Sequence, residues 1–142
     1  MRLLLFSAGI FLFLSGCQKD EAQPAQPLQQ TRWMLAQVED FPITLSSYSD
    51  SYRTSVQFGA DNTTAGLSPC NSFRGTYSLN PATGQLTISS QVAPRTACPV
   101  QTLESRYLDA LPRTVRYELA EKELRLYENG STTPHLVFTA AQ

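Results

Sequence analysis

The chain has 142 residues, with 11 Lys plus Arg against 12 Asp plus Glu and a single His, a formal charge of −1. That balance argues against a nucleic-acid partner, because neutralising phosphates requires a basic face from which counterions can be released. The length allows one core of ordinary size and not two.

The chain opens with Arg2 and an apolar run from Leu3 to Leu14, followed by Leu14-Ser15-Gly16-Cys17. The run is shorter than the roughly 20 residues that span a bilayer as a helix. It reads as an export signal over residues 1–16 that is removed. Leu-Ser-Gly-Cys resembles a lipobox: small Ser15 and Gly16 let the site enter a peptidase, and the Cys17 thiol takes the lipid. The competing reading is an ordinary secretory signal with an accidental cysteine. A triacylated Cys17 carries more than the two signals that stable membrane attachment needs. Loss of Arg2 leaves ten Lys plus Arg against twelve Asp plus Glu (11 − 1 = 10), so the mature chain stays close to neutral.

Gln18 to Gln30 is rich in Gln, Ala and Pro and holds one apolar residue larger than Ala. Such a stretch buries too little surface to offset its ordering entropy. We read residues 17–30 as a lipidated cysteine and flexible tether. Gln18-Lys19-Asp20-Glu21 resembles the lysine-plus-acid signal that sends Bacteroidota lipoproteins to the cell surface; a solvated linker is the alternative. Gln rather than Asp after Cys17 favours the outer membrane, by resemblance to the general sorting rule.

Residues 31–142 then form one domain. Trp33 and Leu35 alternate with Arg32 and Met34 in a first strand, and Glu39 to Asp50, with Pro42 and a run of Ser, reads as a long loop. Tyr52, Thr54, Val56 and Phe58 alternate with polar residues, a half-buried strand. Gly59 to Asn62 turns the chain, Thr63 to Leu67 returns it, and Ser68-Pro69 breaks it. In the next strand Phe73, Tyr77 and Leu79 share one face, and mid-strand Gly75 signals a bend or a close approach of another backbone. After the turn at Asn80 to Gly84, the inward series continues through Leu86, Ile88 and Val92. Val100, Leu103 or Glu104, Tyr107 and Leu111 recur at helical spacing and predict a helix from Pro99 to Leu111, ended by Pro112. Val115, Tyr117 and Leu119, then Leu124 and Leu126, then Leu136 and Phe138 supply closing strands, with turns at Glu121 to Glu123 and at Asn129-Gly130. The fold class is mostly β, within α+β: a curled antiparallel sheet or cracked barrel of about seven to eight strands crossed by one helix.

Once Cys17 is given to lipid, Cys70 and Cys98 are the remaining thiols of a chain sent to an oxidising compartment, and we expect a disulfide between them. On the chain-entropy argument such a loop is worth roughly 3 to 4 kcal/mol. A redox pair would want Cys-X-X-Cys spacing at a helix start. Two cysteines and His135 do not have the spacing of a zinc site, and no metal or cofactor is expected. His135 reads as a solvent-facing or capping residue. No Gly-X-Ser-X-Gly elbow or phosphate loop occurs. Glu104 and Glu118 are best explained as charged faces of the helix and a strand rather than an acid pair. No catalytic residue is assigned.

Trp33-Met34-Leu35, Cys70-Asn71-Ser72-Phe73-Arg74-Gly75-Thr76-Tyr77, Thr96-Ala97-Cys98-Pro99, the helix with Glu104 and Leu111, and Leu124-Arg125-Leu126 together resemble the META domain, the family that includes the HslJ-type heat-shock lipoproteins. Pro69 and Pro94 depart from the usual Gly and Thr of that pattern. The resemblance implies a compact sheet crossed by a helix, similar in outline to lipid-binding pilotins, and links to envelope stress, novobiocin resistance and secretion. It implies no catalytic residues. The expectation is a non-enzymatic, monomeric outer-membrane lipoprotein that binds an envelope protein or a small apolar ligand. A ligand site would lie between the helix and the inward rings of Phe58, Phe73 and Tyr77, with filled core as the competing explanation. A hydrolase or redox enzyme using Cys98 or His135, or a structural surface protein, are the alternatives.

Overall fold

The computed structural model describes residues 27–43, 54–94 and 96–141. The expected signal, Cys17, most of the expected tether, Tyr52 and Arg53 lie outside the described residues. Among the described residues nine strands form one antiparallel sheet in the order β2-β1-β3-β4-β5-β6-β7-β8-β9, and β1 also pairs with β9, so the sheet curls into a ring. The strands are β1 (Arg32–Val38), β2 (Phe41–Pro42), β3 (Ser55–Phe58), β4 (Thr63–Leu67), β5 (Ser72–Asn80), β6 (Gln85–Ile88), β7 (Arg116–Ala120), β8 (Glu123–Tyr127) and β9 (Leu136–Ala140). The helix among the described residues, α1 (Gln101–Ala110), runs into a 3-10 turn, Leu111–Arg113. The strand beyond those expected is the two-residue β2, formed inside the predicted loop where Val38 pairs with Phe41.

Closure rests on β1 and β9, which register from Trp33 opposite Ala140 to Val38 opposite Leu136, with a bulge between Leu35 and Gln37. The seam of the ring lies between β6 and β7, where Gln85 opposite Arg116 is the paired position among the described residues. The inward residues read from alternation do fill the interior: Trp33, Val56, Phe58, Leu86, Leu124, Leu126, Leu136 and Phe138 are wholly buried. From α1 come Tyr107 and Ala110, followed by Leu111, and these press the helix onto the ring.

Four expectations change. The folded unit begins before Thr31, because Leu28 is buried and its carbonyl accepts the Trp33 indole N–H at 3.0 Å. Gln30 follows by donating its backbone N–H to Phe58 at 2.8 Å. Pro99 and Val100 form a turn ahead of the helix, and Pro112 sits inside the 3-10 turn that follows it, a place where its missing N–H costs no hydrogen bond. Asn129-Gly130 does turn the chain, with Gly130 at φ +72°. It does so inside a connection running from Glu128 to His135 rather than a two-residue hairpin. Finally, Val92 does not continue the inward series and is 72% exposed. The chain bulges after Ile88, so that Gln91 takes the inward position and Val92 is turned outward.

Candidate functional site

The Cys70-to-Tyr77 string becomes intelligible residue by residue, because five of its positions, Cys70, Asn71, Phe73, Gly75 and Tyr77, each meet a different part of the molecule. Cys70 is bonded to Cys98, with Cα atoms 6.0 Å apart. Its backbone N–H also donates to Glu104 Oε2 at 2.8 Å. Asn71 donates Nδ2 to Glu104 Oε1 at 2.9 Å and to the Thr96 carbonyl at 3.3 Å. Phe73 stacks edge-on against Tyr107 of α1, centroids 5.8 Å apart. Gly75 leaves room for Gln91: a Cβ there would stand 2.6 Å from Gln91 Nε2. Tyr77 donates its hydroxyl to the Gly59 carbonyl at 2.6 Å and accepts from Gln29 Nε2 at 2.7 Å.

Glu104 therefore departs from its expected place on a charged helix face. It is 3% exposed, and its two carboxylate oxygens are spent on the β4–β5 connection. The helix wheel carries the reason: position 104 shares the buried stripe with Tyr107 and Leu111, and a buried carboxylate must be met by donors. Glu118 stays on the strand surface, where its carboxyl is held below the usual range by the Tyr127 hydroxyl and then by Arg116. The two acids have no partner in common.

The rings named as a candidate ligand site are packed against one another. Phe58, Phe73 and Tyr77 are each at most 5% exposed, and Phe58 meets Tyr77 edge-on at 5.1 Å. All three belong to the core cluster. Gly66 lies under Phe73, where a Cβ would stand 2.6 Å from Cζ. Tyr107 is buried with its hydroxyl unpartnered among the described residues. Its pKa is pushed well up by burial and by the nearby Glu104 charge.

His135 is the capping residue rather than the solvent-facing one, and it is 7% exposed. Its Nε2 lies 3.1 Å from the Ala110 carbonyl at the end of α1 and 3.4 Å from Thr114 Oγ1. The carbonyl needs a donor, which assigns the proton to Nε2 and leaves Nδ1 buried without a partner. Burial lowers the pKa of the ring, because a second proton at Nδ1 would have nothing to bond to.

After Ile88 the chain forms a strap, residues 89–94, that carries the sheet past the end of β6. Arg74 and Val92 exchange both backbone hydrogen bonds, at 2.8 and 3.0 Å. Thr64 Oγ1 donates to Gln91 Oε1 at 2.7 Å, and Gln91 Nε2 donates to the Ser89 carbonyl at 2.6 Å. Between the strap and α1 lies a groove of about 540 Å³, with Asn71 and Glu104 among its lining residues. Sequence reasoning missed it, although a glutamine opposite a mid-strand glycine was a usable signal. Among the described residues no cluster of three or more His, Cys, Asp or Glu is placed to hold a metal. No helix among them is long and apolar enough to cross a membrane.

Two solved structures share this architecture. One is the NMR structure of a protein from Burkholderia xenovorans, at 21% identity, covering 81% of this chain and 84% of that one with a TM-score of 0.62. The other is the crystal structure of a DUF4847 family protein from Bacteroides vulgatus, at 14% identity, covering 80% and 93% with a TM-score of 0.54. At such identities the likeness is one of fold. No curated protein matches the chain. The sequence model of the META domain matches residues 26–142, beginning where Leu28 enters the core, and the chain belongs to the META domain family.

Proposed function

We propose that this protein is a non-catalytic lipoprotein of the outer membrane, anchored through Cys17, that acts in the envelope by binding a protein partner. The observation that carries the reading is the filled interior. With Phe58, Phe73 and Tyr77 closed on one another, recognition falls to the surface, which favours a protein over a small apolar ligand. Family resemblance points the role toward envelope stress. The enzymatic alternative is disfavoured because Cys98 is bonded to Cys70 and His135 is occupied with the end of α1.

Native mass spectrometry of the protein, extracted gently from its own envelope after crosslinking, tests the partner. A bound polypeptide supports the reading; a small apolar molecule released by denaturation overturns it. For the anchor, Cys17→Ala should abolish palmitate incorporation and move the protein to the soluble fraction. Unchanged membrane retention would refute attachment through that thiol.

A further inference from the structure

The groove between α1 and the strap has walls of two kinds. One is a helix face, carrying Gln101, Ser105, Leu108 and Asp109. The other is the edge of a sheet. Val92 spends its backbone N–H and C=O on Arg74, so in an antiparallel ladder its neighbours Gln91 and Ala93 aim their backbone groups away from β5. Both line the groove. Among the described residues, the Ala93 amide and the Gln91 and Ala93 carbonyls make no hydrogen bond. Pro94, which shares the parity of Val92 and has no N–H, ends the ladder with β5. Such an open edge is a template for another strand.

Both walls are held in place before anything binds. The strap is pinned by Gln91 to Thr64 and, beyond it, by Asn71 to the Thr96 carbonyl and by the Cys70–Cys98 bond. The helix is pinned by Glu104 to the same Cys70 and Asn71. A preformed site loses less on association than one that must be ordered. The lining carries one exposed carboxylate, Asp109, with the buried carboxylate of Glu104 behind it, and no Lys or Arg among the described residues. The last turn of α1 holds no basic residue, so its terminal carbonyls add to the negative potential.

We propose that this groove takes an extended, cationic segment of a partner protein, added as a β-strand to the free edge of the strap with α1 as its wall. The proposal rests on the protein-partner reading and names the chemistry of that partner. Alternate residues of the bound strand would meet Ala93 and Leu108, while lysines or arginines between them reach Asp109 and the rim.

The test uses the full-length protein in detergent and a fluorescein-labelled six-residue peptide alternating lysine and valine. Saturable binding is expected, with contact-shifted amides at Gln91, Ala93 and Leu108. Methylating alternate backbone nitrogens of the peptide, which keeps its charge and side chains but removes strand donors, should weaken binding about tenfold or more. A glutamate–valine peptide should bind at least about tenfold more weakly. On the protein, Ala93→Pro removes an edge donor and Asp109→Lys, an exposed position, reverses the local charge; each should weaken binding several-fold. Absence of binding, or equal binding by the methylated peptide, overturns the inference, as does indifference to both variants. If the crosslinking experiment still captures a protein at another face, the inference falls while the partner reading stands.

Discussion

Glu104→Ala gives the most direct test of how the molecule is joined. The carboxylate is 3% exposed and accepts from Cys70 N at 2.8 Å and Asn71 Nδ2 at 2.9 Å. Removing it leaves two largely buried donors without their acceptor. Hydrogen bonds to a charged group are worth about 1.5–3 kcal/mol each, and an orphaned donor costs about 1–3 kcal/mol. Part of that overlaps, and the disulfide keeps Cys70 near the helix, so the expected loss is about 3–5 kcal/mol. Glu104→Gln retains the shape and one acceptor but turns an amide N–H toward one of the donors, and should cost about 2 kcal/mol. For a domain of this size a loss of 1 kcal/mol lowers Tm by about 4 °C, so the alanine variant should melt some 12–20 °C lower. Urea unfolding followed by tryptophan fluorescence reads the same quantity as a fall in midpoint at unchanged slope. An Asn71→Ala partner in a double-mutant cycle should show strong coupling. A loss below about 1 kcal/mol for Glu104→Ala, or additivity with Asn71→Ala, would refute the argument that this carboxylate binds helix to sheet.

Three further outcomes follow from neighbouring features. Gly66→Ala would place a Cβ against the Ser55 backbone carbonyl and 2.6 Å from Phe73 Cζ, and should cost about 3 kcal/mol or more. Gly75→Ala meets first the end of the Gln91 side chain and should cost about 1 kcal/mol, relieved in a Gln91→Ala background; equal losses for the two glycines would contradict the packing. For His135 the folded pKa lies below the unfolded one, so the unfolded chain binds the extra proton. Stability from this group is complete above the ordinary histidine range and declines as pH falls from about 7 toward 5. His135→Gln should be less stable at pH 8 but flatter across that window; an unchanged slope in denaturation midpoints would exclude the histidine as its source. A chain starting at Thr31 lacks Leu28 and its carbonyl bond to Trp33, and should be about 2–4 kcal/mol less stable than one starting at Gln26, by the same urea assay.

The β pattern was legible because alternation is a direct image of which face is buried. Val56, Phe58, Leu86, Ile88, Leu124, Leu126, Leu136 and Phe138 lie on the inside as their spacing requires. The pairing of Cys70 with Cys98 was legible from the cysteine inventory. Alternation fails wherever one residue is added, and the bulge after Ile88 reverses the sense of the strap that follows it, which is why Val92 was misplaced and Gln91 overlooked. The tether was carried too far because composition averages over residues: Leu28 is a single apolar side chain among polar neighbours, yet Trp33 supplies the surface it buries against. Glu104 was visible on the apolar stripe of the helix, but its donors, Cys70 and Asn71, stand more than thirty positions earlier in the chain. No local pattern reports a contact of that range.

Closure of the ring by its first and last strands has a consequence for how the chain comes into being. Residues 32–38 find one of their partners only when residues 136–140 arrive. A polypeptide emerging from its amino end therefore exposes Trp33, Leu35 and Val38 throughout its passage, without the strand that covers them. Contacts of such sequence separation form slowly, since the intervening chain must be drawn together before the pairing rewards it. The ring stays open, with part of its apolar face uncovered, until the last strand has arrived.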